Sequence, residues 1–194
     1  GEALYIVGAA TFGASLALVG QMYHLAGDEL SAIITWSIGT AIAAAILRSG
    51  ALNIAATGIA IAWLVLWATN YWGNSHGFPY YFIAFAAAYW LLSYWTGSVA
   101  ARHVILLSVI LYTAMLVIEH DTVSIAGPMA LVSAGLFAAA VFAPAPVESI
   151  VRLDGRLPLH CLIAFLVAMF MLQAETWDEA GLALDAVDTL DRSS

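Results

Sequence analysis

The chain has 194 residues, 63% of them hydrophobic and only 9% charged, with a net charge of −8, no lysine at all and a mean hydropathy of +0.94. A soluble domain carries roughly 25% charged residues, so a solvated surface is excluded and lipid must replace water as the main solvent. The length suits one compact helical bundle and is too short for that bundle plus a second folded domain; the single cysteine, Cys161, excludes a disulfide framework and a Cys-built metal site.

The chain opens on Gly1 with no basic n-region and no small-residue cleavage site, so no signal peptide is read, and a processed, truncated or absent start is expected. About 20 apolar residues, within a range of roughly 17–25, cross the hydrocarbon core as a helix. Seven stretches meet that requirement: residues 3–23, 30–47, 51–70, 79–95, 103–118, 123–143 and 157–174. Gly27 and Asp28 punctuate the first gap, Ser49 and Gly50 the second, and the stretch from Gly73 to Pro79 the third. Pro144 and Pro146 are read as the end of the sixth span, and Pro128 as part of the first turn of a helix that starts late. No ten-residue segments alternate apolar with polar, which argues against a β-barrel. The expected fold class is therefore all-α, a polytopic transmembrane bundle of about seven spans over residues 1–174, followed by an acidic external tail, 175–194.

The arginines sort by loop. Arg48, Arg102, Arg152 and Arg156 fall between spans two and three, four and five, and six and seven, whereas the alternate loops hold carboxylates and histidines. Positive charge is retained on the cytoplasmic side, so the N-terminus is expected inside and the C-terminus outside. Trp67, Tyr71, Trp72, Tyr80 and Tyr81 suit the outer headgroup level, and Tyr94 and Trp95 the inner one; Trp36, Trp63 and Tyr89 read equally as filling for apolar helices. Ala9-x-x-x-Gly13-x-x-x-Ala17, Ser37-x-x-x-Ala41-x-x-x-Ala45 and Gly135-x-x-x-Ala139 place small residues on single helical faces, where backbones in lipid can approach.

The middle of the bilayer is nearly free of ionisable groups, which speaks against an ion-coupled pump. Lack of lysine removes a retinal Schiff base. No phosphate loop, His-Glu-x-x-His, Gly-x-Ser-x-Gly or basic nucleic-acid patch is present. The outer face carries what chemistry there is. Gly20-Gln21-Met22-Tyr23-His24-Leu25-Ala26-Gly27-Asp28-Glu29 ends one helix and starts the next; Gln21 and Tyr23 suit polar packing or ligand contact, and Asp28 suits an N-cap. The sharper reading joins His24, Asp28, His76, Glu119, His120 and Asp121 from three outer loops, since imidazole and carboxylate together suit zinc or another divalent ion. No two of these histidines stand at i, i+4, so the spacing does not demand such a site. The tail, residues 175–194, reads as a solvated or frayed segment, or as an external amphipathic helix docking on its own loops or a partner.

Residues 1–65, through GEALYIVGAATFGASLALVGQMYHLAGDE, Trp36 and the run Leu47-Arg48-Ser49-Gly50-Ala51-Leu52, resemble an uncharacterised bacterial family of predicted integral membrane proteins with a domain of unknown function. The Gly-Gln-Met-Tyr-His-Leu…Gly-Asp run is its distinctive element. The resemblance implies a bacterial cytoplasmic membrane and transfers no catalytic residue. The expected function is a non-enzymatic accessory or assembly subunit of a larger membrane complex, with lipid and other subunits or further copies as partners and no nucleic acid. A permease or channel-like element for a small solute or cation is the alternative, and a membrane metalloenzyme or metal-binding protein with an external His/carboxylate site comes third.

Overall fold

The computed structural model describes the backbone of residues 1–22, 29–71, 78–119 and 122–191, and the side chains of residues 1–20, 30–70, 78–119 and 125–174. Within these bounds the chain forms eight helices: α1 (Glu2–Met22), α2 (Glu29–Leu47), α3 (Gly50–Tyr71), α4 (Phe82–Thr96), α5 (Val99–Glu119), α6 (Thr122–Phe142), α7 (Pro144–Val151) and α8 (Leu157–Asp191). No strand occurs among the described residues. Six of these helices, α1, α2, α3, α5, α6 and α8, are long and apolar enough to cross a membrane, and α4 is a shorter apolar helix. The protein is a multi-pass membrane protein. Turns at Pro79–Tyr81, where Phe82 N–H bonds the Pro79 carbonyl at 3.0 Å and Ala84 N–H that of Tyr81 at 3.0 Å, lengthen the α4 rod at its start.

α6 ends at Phe142, just before Pro144 and Pro146, as expected, and the chain restarts as α7 with proline in the first turn, where its missing N–H has no intrahelical partner to lose. Two local readings of the sequence are corrected. Pro128 does not lie in a first turn, because α6 begins at Thr122 and runs through it. Its nitrogen cannot donate to the Ser124 carbonyl, a gap that membrane helices tolerate when a neighbouring group supplies the bond. Arg102 is no loop residue; it stands in the first turn of α5 and is buried.

The chain divides into two compact units, Gly1–Tyr112 and Thr113–Ser194. In the first, α2 and α3 form the tightest antiparallel pair, α1 packs on both, and α4 packs on the same two helices. Rings seated over glycines join α1 to α2. Trp36 covers Gly13, where a Cβ would stand 2.6 Å from Cδ2, and Phe12 covers Gly39, where a Cβ would stand 2.6 Å from Cε1. The Trp36 indole N–H also donates to the Ala9 carbonyl at 2.8 Å, so the Ala9/Gly13 face is a packing surface with a polar anchor. Elsewhere in the unit, Phe78 meets Trp67, Tyr80 and Tyr112 at centroid distances of 5.4, 5.4 and 5.2 Å, and Phe82 stacks on Tyr112 at 5.2 Å.

In the second unit α6 packs on α8 and on α7. Ala126, Ala130, Ser133 and Ala140 of α6, and Leu157, His160, Cys161 and Ala168 of α8, are buried at spacings of three, four and seven residues, the pattern of two helices closing along a small-residue seam. Gly135 is not on that seam: it is exposed, and a Cβ there meets nothing within 4 Å. The link from α7 to α8 is held by one carboxylate. Glu148 accepts the Asp154 N–H at 2.6 Å and the Gly155 N–H at 3.1 Å, while Arg152, Asp154 and Gly155 take left-handed backbone at φ 51, 52 and 73° and Leu153 is buried. α8 does not end with its apolar stretch at Ala174; its backbone continues as helix to Asp191.

Candidate functional site

Of the outer-loop residues singled out by sequence, Tyr23, His24, Asp28, His76, His120 and Asp121 lie outside the described residues. Gln21 occupies the last turn of α1, with its side chain outside them. Glu119 is the final residue of α5 and half-buried. Among the described residues no group of three or more His, Cys, Asp or Glu side chains is close enough to share an ion.

What the described residues bring together is a polar seam within the first unit, built around two corners of one design. At the α2–α3 corner, Arg48 takes a left-handed conformation (φ 50°) and Ser49 N–H reaches back to the Ala44 carbonyl at 3.1 Å. At the α4–α5 corner, Gly97 takes φ 67°, and Gly97 and Ser98 N–H bond the Tyr94 and Ser93 carbonyls at 3.3 and 3.1 Å. A left-handed residue followed by such a back-bond closes a helix whose last carbonyls would otherwise be orphaned. The next residue is serine in both, and it caps the helix that follows: Ser49 Oγ accepts Leu52 N–H at 3.3 Å, and Ser98 Oγ accepts Ala101 N–H at 3.2 Å. The corners touch, for a Cβ on Gly50 would stand 2.9 Å from the Ser98 Cβ.

Four residues beyond each capping serine comes a buried polar side chain, Asn53 at 0% exposure and Arg102 at 3%. Both reach carbonyls of α4 one turn apart. Asn53 Nδ2 donates to the Tyr89 carbonyl at 3.5 Å, and Arg102 Nη2 to that of Ser93 at 3.5 Å, while Arg102 Nε donates to Ser93 Oγ at 3.1 Å. The guanidinium also lies 4.5 Å from the centre of the Tyr94 ring, a placement that favours a cation partly removed from water. Arg48 makes the matching contact from outside, 4.3 Å over Trp95, whose indole N–H donates to the Ala45 carbonyl of α2 at 3.0 Å.

Further along α4, the Tyr89 hydroxyl and Ser37 Oγ are 2.6 Å apart, and Ser37 donates to the Ala56 carbonyl at 2.8 Å. Serine has one proton to give. With it on Ala56, the chain of donation runs from Tyr89 to Ser37 to Ala56, fastening α4 to α2 and α2 to α3. Chemically this seam is a fastener: hydroxyls, an amide and a cation bond one helix to the next. Sequence reasoning passed over it. From sequence, Arg102 reads as a loop cation and Tyr89 as apolar filling. The available signal was the repeated spacing itself, Ser49 to Asn53 and Ser98 to Arg102.

Residues 1–53 match the model of a family described as "Predicted membrane protein (DUF2157)". The matched stretch holds α1 and α2 with their ring-over-glycine contacts, the first corner and Asn53. No curated protein and no solved structure matches the chain.

Proposed function

We propose that this multi-pass membrane protein is a non-enzymatic accessory or assembly subunit of a larger complex, and that it offers the flank of α1 to an apolar helix of a partner. The observation that carries this reading is the contrast between α1, with 6% of its spanning window buried, and α3, with 44%. Beside α1 runs an apolar groove of about 390 Å³, lined on its α1 side by Leu4, Gly8 and Phe12 and on its α2 side by Gly39, Ala43 and Leu47. Small residues such as Gly8, beside which a Cβ would meet nothing within 4 Å, let a second backbone come close, which is how apolar helices associate in lipid. The bilayer is that of a bacterial cytoplasmic membrane, with Arg48, Arg102, Arg152 and Arg156 at its inner face.

The test is cross-linking in native membranes from a cysteine at position 8, in a chain whose own thiol is removed by Cys161→Ala. A stoichiometric protein adduct supports the subunit role. Adducts with lipid alone reject it. In the same background, cysteines at positions 48 and 152 should resist impermeant labels in intact cells, and labelling of either one inverts the orientation. Solute flux in liposomes holding the pure protein would instead favour a permease for a small solute or cation.

A further inference from the structure

We propose that α7 rests in the phospholipid surface at the end of the α6–α8 pair, with one apolar edge among the acyl chains and Arg156 at the level of the phosphates. α6 and α8 pack on one another, and their apolar spans end at Phe142 and begin at Leu157 respectively. The link between them, residues 143–156, therefore starts and finishes where the hydrocarbon does. α7 cannot prolong α6 through it, since Ala143 leaves the helical region at φ −132°, ψ 61°. The sequence PAPVESIV places Pro146, Val147, Ile150 and Val151 on one face, and Ala145, Glu148 and Ser149 on the other. No residue of α7 is buried. Val147 and Val151 are half-buried, whereas Pro146 and Ile150 are open, Ile150 at 71% exposure.

What covers that open edge follows from its place and its charges. Along the chain it stands between the exposed Val141 and Phe142, which close the α6 span, and the exposed Leu159 in the first turn of α8. So short a helix is marginal by itself in water, but this one is tied at both ends. α6 packs on it, and Glu148 accepts the Asp154 and Gly155 N–H groups while Leu153 and Leu157 are buried. That bonding also engages the single carboxylate of α7 within the link. The exposed charges of the link are Arg152, Asp154 and Arg156, and a guanidinium matches phosphate in both charge and geometry. Water would suit Arg156 but not the Pro146–Ile150 edge, and acyl chains alone would do the reverse. The boundary between headgroups and acyl chains suits both, as it does for other helices that lie in the membrane plane.

The experiment places a nitroxide on single cysteines of the whole chain, in the Cys161→Ala background and in phospholipid nanodiscs. It compares collisions with oxygen, which dissolves in acyl chains, and with a water-soluble nickel chelate. Leu131→Cys, on an exposed part of the α6 span, sets the lipid reference. The expected result is an oxygen-to-nickel ratio at Ile150→Cys close to that reference and several-fold above the ratio at Ala145→Cys on the opposite face. Equal ratios at 145 and 150 overturn the proposal, since α7 then has no lipid side. Low rates with both reagents at 150 overturn it too, because they mean a protein cover, whether a partner or a second copy. Adding Arg156→Gln to the Ile150→Cys chain should shift the ratio there toward water, and Arg156→Lys should restore it. An unchanged ratio in Arg156→Gln, or no recovery in Arg156→Lys, overturns the phosphate contact.

Discussion

The corners α2–α3 and α4–α5 perform the same turn with different residues. Each has a left-handed residue, then a capping serine, then a buried polar side chain four positions on. They differ in where the arginine sits. In the second corner glycine takes the left-handed position without strain, and the arginine lies inside the following helix, buried against Ser93 and Tyr94. In the first, Arg48 itself occupies the left-handed position, which costs a residue with a Cβ about 1–2 kcal/mol, and its exposed guanidinium recovers part of that over Trp95. The turn is therefore specified by backbone needs, but the residue at its tip is chosen by the neighbouring hairpin.

Substitutions can break this equivalence, and their expected effects on unfolding in a denaturing detergent titration descend in order. Arg102→Ala should cost most, roughly 3 kcal/mol, since hydrogen bonds to a charged group are each worth about 1.5–3 kcal/mol; a loss no larger than that of Asn53→Ala would mean that the buried charge is not the keystone of the second corner. Gly97→Ala should cost about 1–2 kcal/mol from left-handed strain, and a neutral result would mean that the turn relaxes to another form. Ser49→Ala and Ser98→Ala should each cost about 1 kcal/mol, as lost N-caps do, and should match one another if the corners are true equivalents. Arg48→Gly should be nearly silent, because relief of roughly 1 kcal/mol of strain offsets a lost cation–π contact of about 0.5–1 kcal/mol. A clear destabilisation there would give the Trp95 contact more weight than its exposure suggests.

Hydropathy alone located the rods, since lipid tolerates only apolar stretches whose backbone bonds are satisfied internally. The stretches 30–47, 51–70 and 157–174 agree with α2, α3 and the apolar part of α8 to within a few residues. The misses have a common cause. α7 is eight residues long, too short for periodicity to announce, and its prolines read as a stop. Trp36 and Tyr89 read as bulk because the atoms that matter, an indole nitrogen and a phenol oxygen, find carbonyl and hydroxyl partners on helices distant in sequence. The stripe at Ala9 and Gly13 was legible as packing, but that a tryptophan fills it was not, because the partner lies in another helix. The histidines and carboxylates of the outer loops drew notice through their rarity in a chain with 9% charged residues. Their convergence would depend on tertiary placement, which a list of residues does not carry.

α8 has a consequence of scale. A helix of 35 residues is roughly 52 Å long at 1.5 Å per residue, whereas a bilayer with its headgroups is about 40–45 Å thick. A rod of that length standing upright outreaches such a bilayer by about two turns. Deleting four residues from its far end would lower the tip by about 6 Å and inserting four would raise it as much, with only a slight turn about the axis.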